Sequence, residues 1–543
     1  MKQQIPASST MEASGGMVST ASRQATNAGV EMLAKGGNAI DAAVASAFCL
    51  GVSEPQASGI GGQSMALVYL KEENRIFALD GSSRAPFELS PAENPERPIM
   101  LGLESSTVPS TVAALGYLHE TYGKLPLHDI LEPSVRACRE GIEITPLIHR
   151  MLVKEKEHLI KDPSITKNFF HEKEPVDIGT YVYQPELART FQRMAKHGWR
   201  DFYTGDIGKA IVEDMQKRGG LITEIDMNQI PIPVERETLH STYRGYELYT
   251  YPPPGAGRVL VQILAILEGF PPDNLDTDEA IGAIISALAF RFALNYRERT
   301  PMHPDHYLQF VNQMLIDKGY AKETVKRIND IYKLALQDTF LPPPTSGETT
   351  HLSAADSDGN AVGITQSIEL VFGSKTMAKD LGFFYNNYMS AFNYSDTSHP
   401  YYLLPGGRPW SSVAPVLLFE NGKARYLLGS PGSARISTTL AQVITRLIDK
   451  GEPLDDAIAS PRFHASHTGS LMIEHNRFSE EVNEALRLAG FKITKRGDYS
   501  FYLGCVQGIQ LPKNKRERFF GVADPRRDGT ARGPELNELG VDI

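Results

Sequence analysis

A proline-rich stretch, Leu341-Pro-Pro-Pro-Thr-Ser-Gly-Glu348, runs directly into a β-branched strand start, Thr349-Thr350-His351-Leu352-Ser353. Consecutive prolines stop a helix and supply no backbone donors, so this segment is expected to cross a surface as flexible, helix-poor chain. Two strands are predicted after it, Thr349 to Ala355 and Asn360 to Ile368, joined by the turn Asp356-Ser-Asp-Gly359. Further strands are predicted at Val413 to Phe419 and Ala424 to Leu428. Strands flanked by runs of helix predict a layered α+β sandwich.

The flanking helices are legible from their periodicity. Ala25 to Lys35 reads as a helix stopped by Gly36-Gly37. Asn38 then caps a second one, with Ile40, Ala43, Val44, Ala47 and Phe48 on its buried face. Gly59-Ile-Gly-Gly62 leads into a buried strand, Met65 to Leu70. Such a loop makes either a tight turn with close backbone packing or an anion cradle, and the turn is the more economical account. Residues 110–340 read as mainly helical, broken at Pro252-Pro253-Pro254. Within them, Asp276-x-x-Glu279 resembles a capping box for a helix from Ala280 to Tyr296. A last helix is predicted from Ile436 to Lys450, with Gly451 as its C′ residue.

Composition narrows the function. The net charge of -10 over 543 residues argues against a nucleic-acid or anionic-membrane surface, and the one dense basic run, Lys513 to Arg518, reads as a solvated loop. The longest apolar stretch, Ala280 to Phe290, is too short to span a bilayer. The N-terminus lacks the continuous apolar core of a secretory signal, so a cytoplasmic protein is expected. Cys49, Cys138 and Cys505 lie far apart and form neither a metal-ligand spacing nor a disulfide framework. His464-Ala-Ser-His467 has metal-like spacing without further ligands nearby, and no dinucleotide or phosphate-loop motif is present. Neither metal nor cofactor is expected.

The chemistry centres on Thr349. A hydroxyl at the first residue of a strand, behind a flexible segment, suits an enzyme whose nucleophile is an N-terminal threonine. Cleavage before Thr349 would create an α-amine of pKa about 8 on the same residue, a suitable general base. Taken locally, the same pattern also fits plain β structure.

The wider chain resembles the gamma-glutamyltransferase (glutathione hydrolase) family of N-terminal nucleophile hydrolases. The matching segments stand in family order. They include Gly36-Gly-Asn-Ala-Ile-Asp41, Pro55-Gln-Ala-Ser-Gly-Ile-Gly-Gly62, Tyr243-Arg-Gly-Tyr246, Thr349-Thr-His-Leu-Ser353, Asn386-Asn387, Ser411-Ser412, Gly429-Ser-Pro-Gly432, Pro461-Arg-Phe-His464 and Asp524-Pro-Arg526. The resemblance implies a four-layer αββα sandwich with an extra helical region in the N-terminal part. It implies self-cleavage between Glu348 and Thr349 into residues 1–348 and 349–543, a heterodimer forming one composite domain. Thr349 takes the nucleophile's place, Ser367 the hydroxyl on the next strand, and Gly432 and Ser433 the oxyanion hole. Ser411 and Ser412 match the pair that binds the donor carboxylate. The substrates implied are small-molecule acyl amides, with water, an amino acid or a peptide as acceptor.

Departures lie around the acyl group. Ser82 stands where typical members carry the carboxylate-binding arginine, and Arg84 follows two residues later on the same face of an extended chain. Glu369, Tyr388 and Ala391 replace residues that hold the substrate ammonium, and the segment from Asn387 to Ser411 is short. Three readings follow: a gamma-glutamyl hydrolase or transferase, a cephalosporin (glutaryl) acylase-like amidohydrolase, and an unprocessed, non-catalytic binding protein.

Overall fold

A computed structural model describes residues 9–89, 98–306, 318–331 and 348–536. The prolines of the 341–348 stretch lie outside these residues. Two seven-stranded antiparallel sheets form the centre. Their strands are β1 (Ser9–Ala13), β2 (Gly16–Thr20), β3 (Gln63–Leu70), β4 (Arg75–Gly81), β5 (Val234–Glu237), β6 (Leu239–Tyr243), β7 (Tyr246–Thr250), β8 (Glu348–Asp356), β9 (Ala361–Glu369), β10 (Val416–Glu420), β11 (Lys423–Gly429), β12 (Gln507–Gln510), β13 (Phe519–Ala523) and β14 (Thr530–Arg532). One sheet runs β1-β13-β12-β11-β10-β7-β6, the other β14-β2-β8-β9-β3-β4-β5.

The strand alternation sorts side chains into layers. Leu67, Tyr69, Ala355 and Ala361 of one sheet meet Leu417, Leu427 and Ile509 of the other in an inter-sheet core. On the outer face of the first set, Val68, Leu352, Ala354 and Ile364 pack against helices α1 (Arg23–Ala34) and α2 (Ala39–Ser53). On the opposite outer face, Leu248, Val416, Leu418 and Leu428 pack against α3 (Gly257–Leu267), α4 (Ala280–Arg299) and α5 (Arg435–Ile448). This is the expected αββα sandwich. The expected extra helices in the N-terminal part pack against the α2 side, within the same apolar core.

Three expectations change. The mainly helical stretch 110–340 contains β5, β6 and β7. β6 and β7 close as a hairpin at Arg244-Gly245, both in the left-handed region with φ of 50° and 86°, and β5 edges the other sheet beside β4. Asp276 does not cap α4. Its carboxylate accepts the Asp278 N–H at 3.0 Å and pairs with Lys450, and the N-cap Glu279 makes no side-chain bond. Strand β10 begins at Val416, three residues later than expected, because Val413 instead packs beside Met65, Ala78 and Tyr251. The glycine loop is a close-packing device. A Cβ on Gly62 would stand 2.1 Å from the Ser367 carbonyl oxygen, and one on Gly61 2.2 Å from that of Phe384.

Candidate active site

Thr349 sits at a bulge. In the β8–β9 ladder Glu348 opposes Glu369 and Thr350 opposes Gln366, so the register shifts at Thr349. Three residues of β8 (Glu348 to Thr350) thus face four of β9 (Gln366 to Glu369), so the extra residue lies in β9, opposite Thr349; bulges re-aim the side chains around them and recur beside active sites for that reason. Thr349 is buried, 7% exposed. Ser367 lies near the end of β9, on the same face as Thr365, whose hydroxyl bonds the His351 ring at 2.8 Å in the inter-sheet layer.

The Ser367 hydroxyl bridges two backbone groups. Its oxygen accepts the Glu369 N–H at 2.8 Å, and its proton goes to the Glu348 carbonyl at 2.5 Å. That carbonyl belongs to the Glu348–Thr349 peptide bond. A donor held there polarises the carbonyl toward attack and would meet the charge developing on its oxygen.

The Glu348 side chain is anchored by residues that no sequence motif singled out. Arg527 donates to Glu348 at 2.8 Å and to Glu54 at 3.2 Å, and Glu54 in turn accepts the Thr350 hydroxyl at 2.5 Å. All four are buried. The two carboxylates and the double interaction keep Arg527 firmly charged, raising its pKa against the cost of burial. Burial pushes the Glu54 carboxyl up, and Arg527 and the Thr350 hydroxyl oppose that shift. The motif Asp524-Pro-Arg526 ends one residue before Arg527, and was the available signal. The motif itself forms a buried ion-pair set: Arg462 with Asp524 at 2.7 Å and Arg526 with Glu474 at 2.8 Å.

The Gly429–Ser433 loop passes over this strand start. Gly429 lies against the His351 ring, where a Cβ would come within 2.1 Å of the imidazole. Gly432 has φ of 125° and Ser433 φ of 54°, so Ser433 adopts the left-handed backbone its position requires. Just beyond, α5 begins at Arg435, whose buried guanidinium lies within electrostatic reach of Glu348. Among the described residues, neither the Gly432 nor the Ser433 N–H donates a hydrogen bond. Both remain available at a helix N-terminus, where the dipole favours negative charge.

Glu369 and Tyr388 close the other side. Glu369 ends β9 with φ of 79°, half-buried, and burial pushes its carboxyl up to about 7. The buried Tyr388 hydroxyl faces Ser367, Gln63 and Glu369, and burial raises its pKa well above the phenol range. Asn386-Asn387 hold this wall. Asn386 accepts the N–H groups of Tyr388 and Thr107, each at 3.0 Å, and Asn387 accepts that of Leu370 at 3.0 Å. Ala391 is buried in the short turn that begins at Tyr388, and its side chain has no polar atom.

Of the other expected binding residues, Arg84 lies near Asp80. Ser82 donates its hydroxyl to Asp80 at 2.5 Å, and Arg236 pairs with Asp80 at 2.7 Å. Arg84 is half-buried, with Asp80, Asp305 and Arg408 in its surroundings. Burial, then Arg408, lowers its pKa. Among the described residues its guanidinium makes no hydrogen bond or ion pair. Ser411 is fixed through its backbone, its N–H donating to the Pro254 carbonyl at 3.0 Å. His464 belongs elsewhere. It is buried, bonds the Thr438 hydroxyl at 2.9 Å, and burial lowers its pKa to about 3. Among the described residues no group of three potential metal ligands occurs, and no helix is long and apolar enough to cross a membrane.

Comparison with known proteins bears on this arrangement. Residues 25–533 match the family described as gamma-glutamyltranspeptidase. The glutathione hydrolase proenzyme of Escherichia coli (strain K12) is 32% identical over 539 residues, spanning 95% of this chain and 91% of its own. The acylase ACY 1 proenzyme of Pseudomonas sp. (strain V22) is 30% identical over 534 residues, spanning 95% and 93%. Among solved structures, the cephalosporin acylase from Bacillus halodurans superposes with a TM-score of 0.87 at 28% identity, over 98% of this chain and 99% of that one. Family match, relatives and fold agree along nearly the whole sequence: the chain belongs to the gamma-glutamyltranspeptidase family of enzymes.

Proposed function

We propose that the chain is a self-processing threonine amide hydrolase, and that Thr349 is its nucleophile. In the first reaction the Thr349 hydroxyl attacks the Glu348 carbonyl. The hydroxyl proton passes to the departing amide nitrogen, and the peptide bond becomes an ester. Water then hydrolyses the ester, leaving a carboxylate on Glu348 and a free α-amine on Thr349. The observation that carries this is the Ser367 hydroxyl aimed at the Glu348 carbonyl. The freed Thr349 repeats the attack on a substrate amide with its own amine as base, forming an acyl-enzyme that water or an amine acceptor resolves. Gly432 and Ser433 supply N–H donors to the oxyanion.

The test is a denaturing gel of purified protein. Wild type is expected to give two fragments, residues 1–348 and 349–543, and the Thr349→Ala chain one band near 59.9 kDa. A wild-type band that stays whole on long incubation would falsify the proposal.

A second reading concerns the acyl group. The Ala391 side chain offers no charge to an ammonium, and burial pushes the Glu369 carboxyl up to about 7, so it is only partly charged near neutral pH. This supports a dicarboxylate acyl group of the glutaryl kind over a gamma-glutamyl one. Turnover of glutaryl and gamma-glutamyl anilides compares them directly. Faster gamma-glutamyl turnover would reverse this reading and leave the nucleophile untouched.

A further inference from the structure

Beyond the Thr349 site, two arginines face a cavity, and among the described residues neither forms an ion pair with a carboxylate. Arg258 is the second residue of α3 and Arg297 lies in the last turn of α4. Arg258 is 6% exposed and Arg297 is half-buried. Their hydrogen bonds go to neutral oxygens only. Arg258 donates to the Thr300 hydroxyl at 2.7 Å and, weakly, to the Arg297 carbonyl at 3.4 Å. Arg297 donates to the Ser411 carbonyl at 2.9 Å. Glu298 shares the cavity wall but is exposed, and among the described residues it pairs with neither guanidinium. Buried Arg435, which stacks on the Tyr502 ring, likewise forms no ion pair, but most largely buried arginines of the described residues do. Arg236, Arg446, Arg462, Arg526 and Arg527, also largely buried, each pair with a carboxylate.

A buried cation without an ion-pair partner is costly: burial lowers the pKa of both groups, Arg297 to about 10, and the charge of the exposed Glu298 opposes that shift only in part. Each guanidinium carries five N–H donors, so those not spent on the neutral oxygens remain for a ligand. The cavity walls say what the rest of the ligand would be. The Trp410 ring lies 4.0 Å from the Arg297 guanidinium carbon, and Tyr401, Met302 and Pro254 add apolar surface.

We infer that this cavity binds a carboxylate attached to a small apolar or aromatic body, with Arg258 and Arg297 as its cationic partners. A guanidinium fork matches a carboxylate's two oxygens better than it matches a single neutral acceptor. Arg297 donates to the carbonyl of Ser411, one of the residues expected to bind the donor carboxylate, so the ligand carboxylate belongs either to a distal part of the acyl amide or to a free organic acid.

The test uses the Thr349→Ala chain, which keeps the cavity whether or not Thr349 is the nucleophile. Benzoate and neutral benzamide are titrated into it calorimetrically at low salt. Saturable binding of benzoate alone is expected, at least tenfold weaker in added Arg258→Met and Arg297→Met variants and less weakened in Arg297→Lys, with unfolding curves confirming each fold. No benzoate binding, equal binding of benzamide, or binding indifferent to both methionine variants overturns the inference. With the wild-type enzyme, competitive inhibition by benzoate assigns the carboxylate to the substrate; binding without inhibition assigns it to a separate acid.

Discussion

The Ser367 hydroxyl donates to the Glu348 carbonyl at 2.5 Å, across the ladder from the residue that precedes Thr349. Because the same oxygen accepts the Glu369 N–H, the hydroxyl proton is held in one direction before any reaction begins. The donor is thus preorganised, and reorganisation at the moment of attack is avoided.

Ser367→Ala removes that donor and leaves the backbone in place. Self-cleavage is expected to slow on the order of 100–1,000-fold, the usual cost of one oxyanion donor. Ser367→Thr keeps the hydroxyl and should process near the wild-type rate. The rates are read from the disappearance of the full-length band in freshly purified protein. An alanine variant that processes as fast as wild type would remove Ser367 from the reaction.

Arg527 is expected to dominate local stability, because it alone bonds both Glu54 and Glu348. Arg527→Met leaves two buried carboxylates without their cation, a change that costs about 3–5 kcal/mol. Burial already pushes the Glu54 carboxyl up, and without the arginine that opposes this its pKa should rise further above the unfolded value. Its protonated form is then favoured in the fold, so stability is lost as pH rises. The variant's deficit should therefore be smaller near pH 5 than near pH 8. Chemical denaturation of the uncut Thr349→Ala chain, with and without the second substitution, measures it at both values.

The sequence carried some of this and not the rest, for physical reasons. Thr349 carries a local signal, a hydroxyl at a strand start behind a flexible segment, whereas Ser367 and the Gly429–Ser433 loop were legible only through the ordered motifs that resemble the family. The layered fold followed from strands set between helical runs. The bulge at Thr349 was not legible, because a register shift depends on how two strands meet rather than on either alone. Glu54 and Arg527 are 473 residues apart and meet only once both sheets and α2 have packed. The strands β5 to β7 were hidden inside a region of helical texture. Asp276 misled because an acidic residue before a helix can equally close its own turn.

Glu369 should make stability depend on pH in a direction opposite to that of an ordinary ion-paired carboxylate. Burial raises its pKa to about 7 from the ordinary carboxyl range. The folded state therefore holds a proton that the unfolded chain releases near pH 4.5. The contribution is fully present below that value, is lost as pH rises toward about 7, and is absent above it. Glu369→Gln removes the titration. Melting temperature plotted from pH 4.5 to 8 should fall less in the variant than in the parent, and parallel curves would show that Glu369 does not titrate there.

Gly62 and Gly59 separate the two meanings of the glycine loop. A Cβ at Gly62 would lie 2.1 Å from the carbonyl oxygen of Ser367, a backbone atom held in the β9–β3 ladder that cannot swing aside. Gly62→Ala must push β9 away from the loop, and with it the hydroxyl that faces Glu348. Gly59 meets nothing closer than a carbonyl oxygen at 3.9 Å, an ordinary contact, and its φ is not left-handed. Gly59→Ala should therefore fold and process like wild type, whereas Gly62→Ala should process slowly even where it folds. If the loop mattered only as a flexible hinge, both substitutions would stiffen it alike and both rates would fall together. Comparing the two processing rates in protein of verified fold distinguishes close packing from flexibility. A Gly62→Ala chain that cleaves at the wild-type rate would mean that β9 can shift without disturbing Ser367.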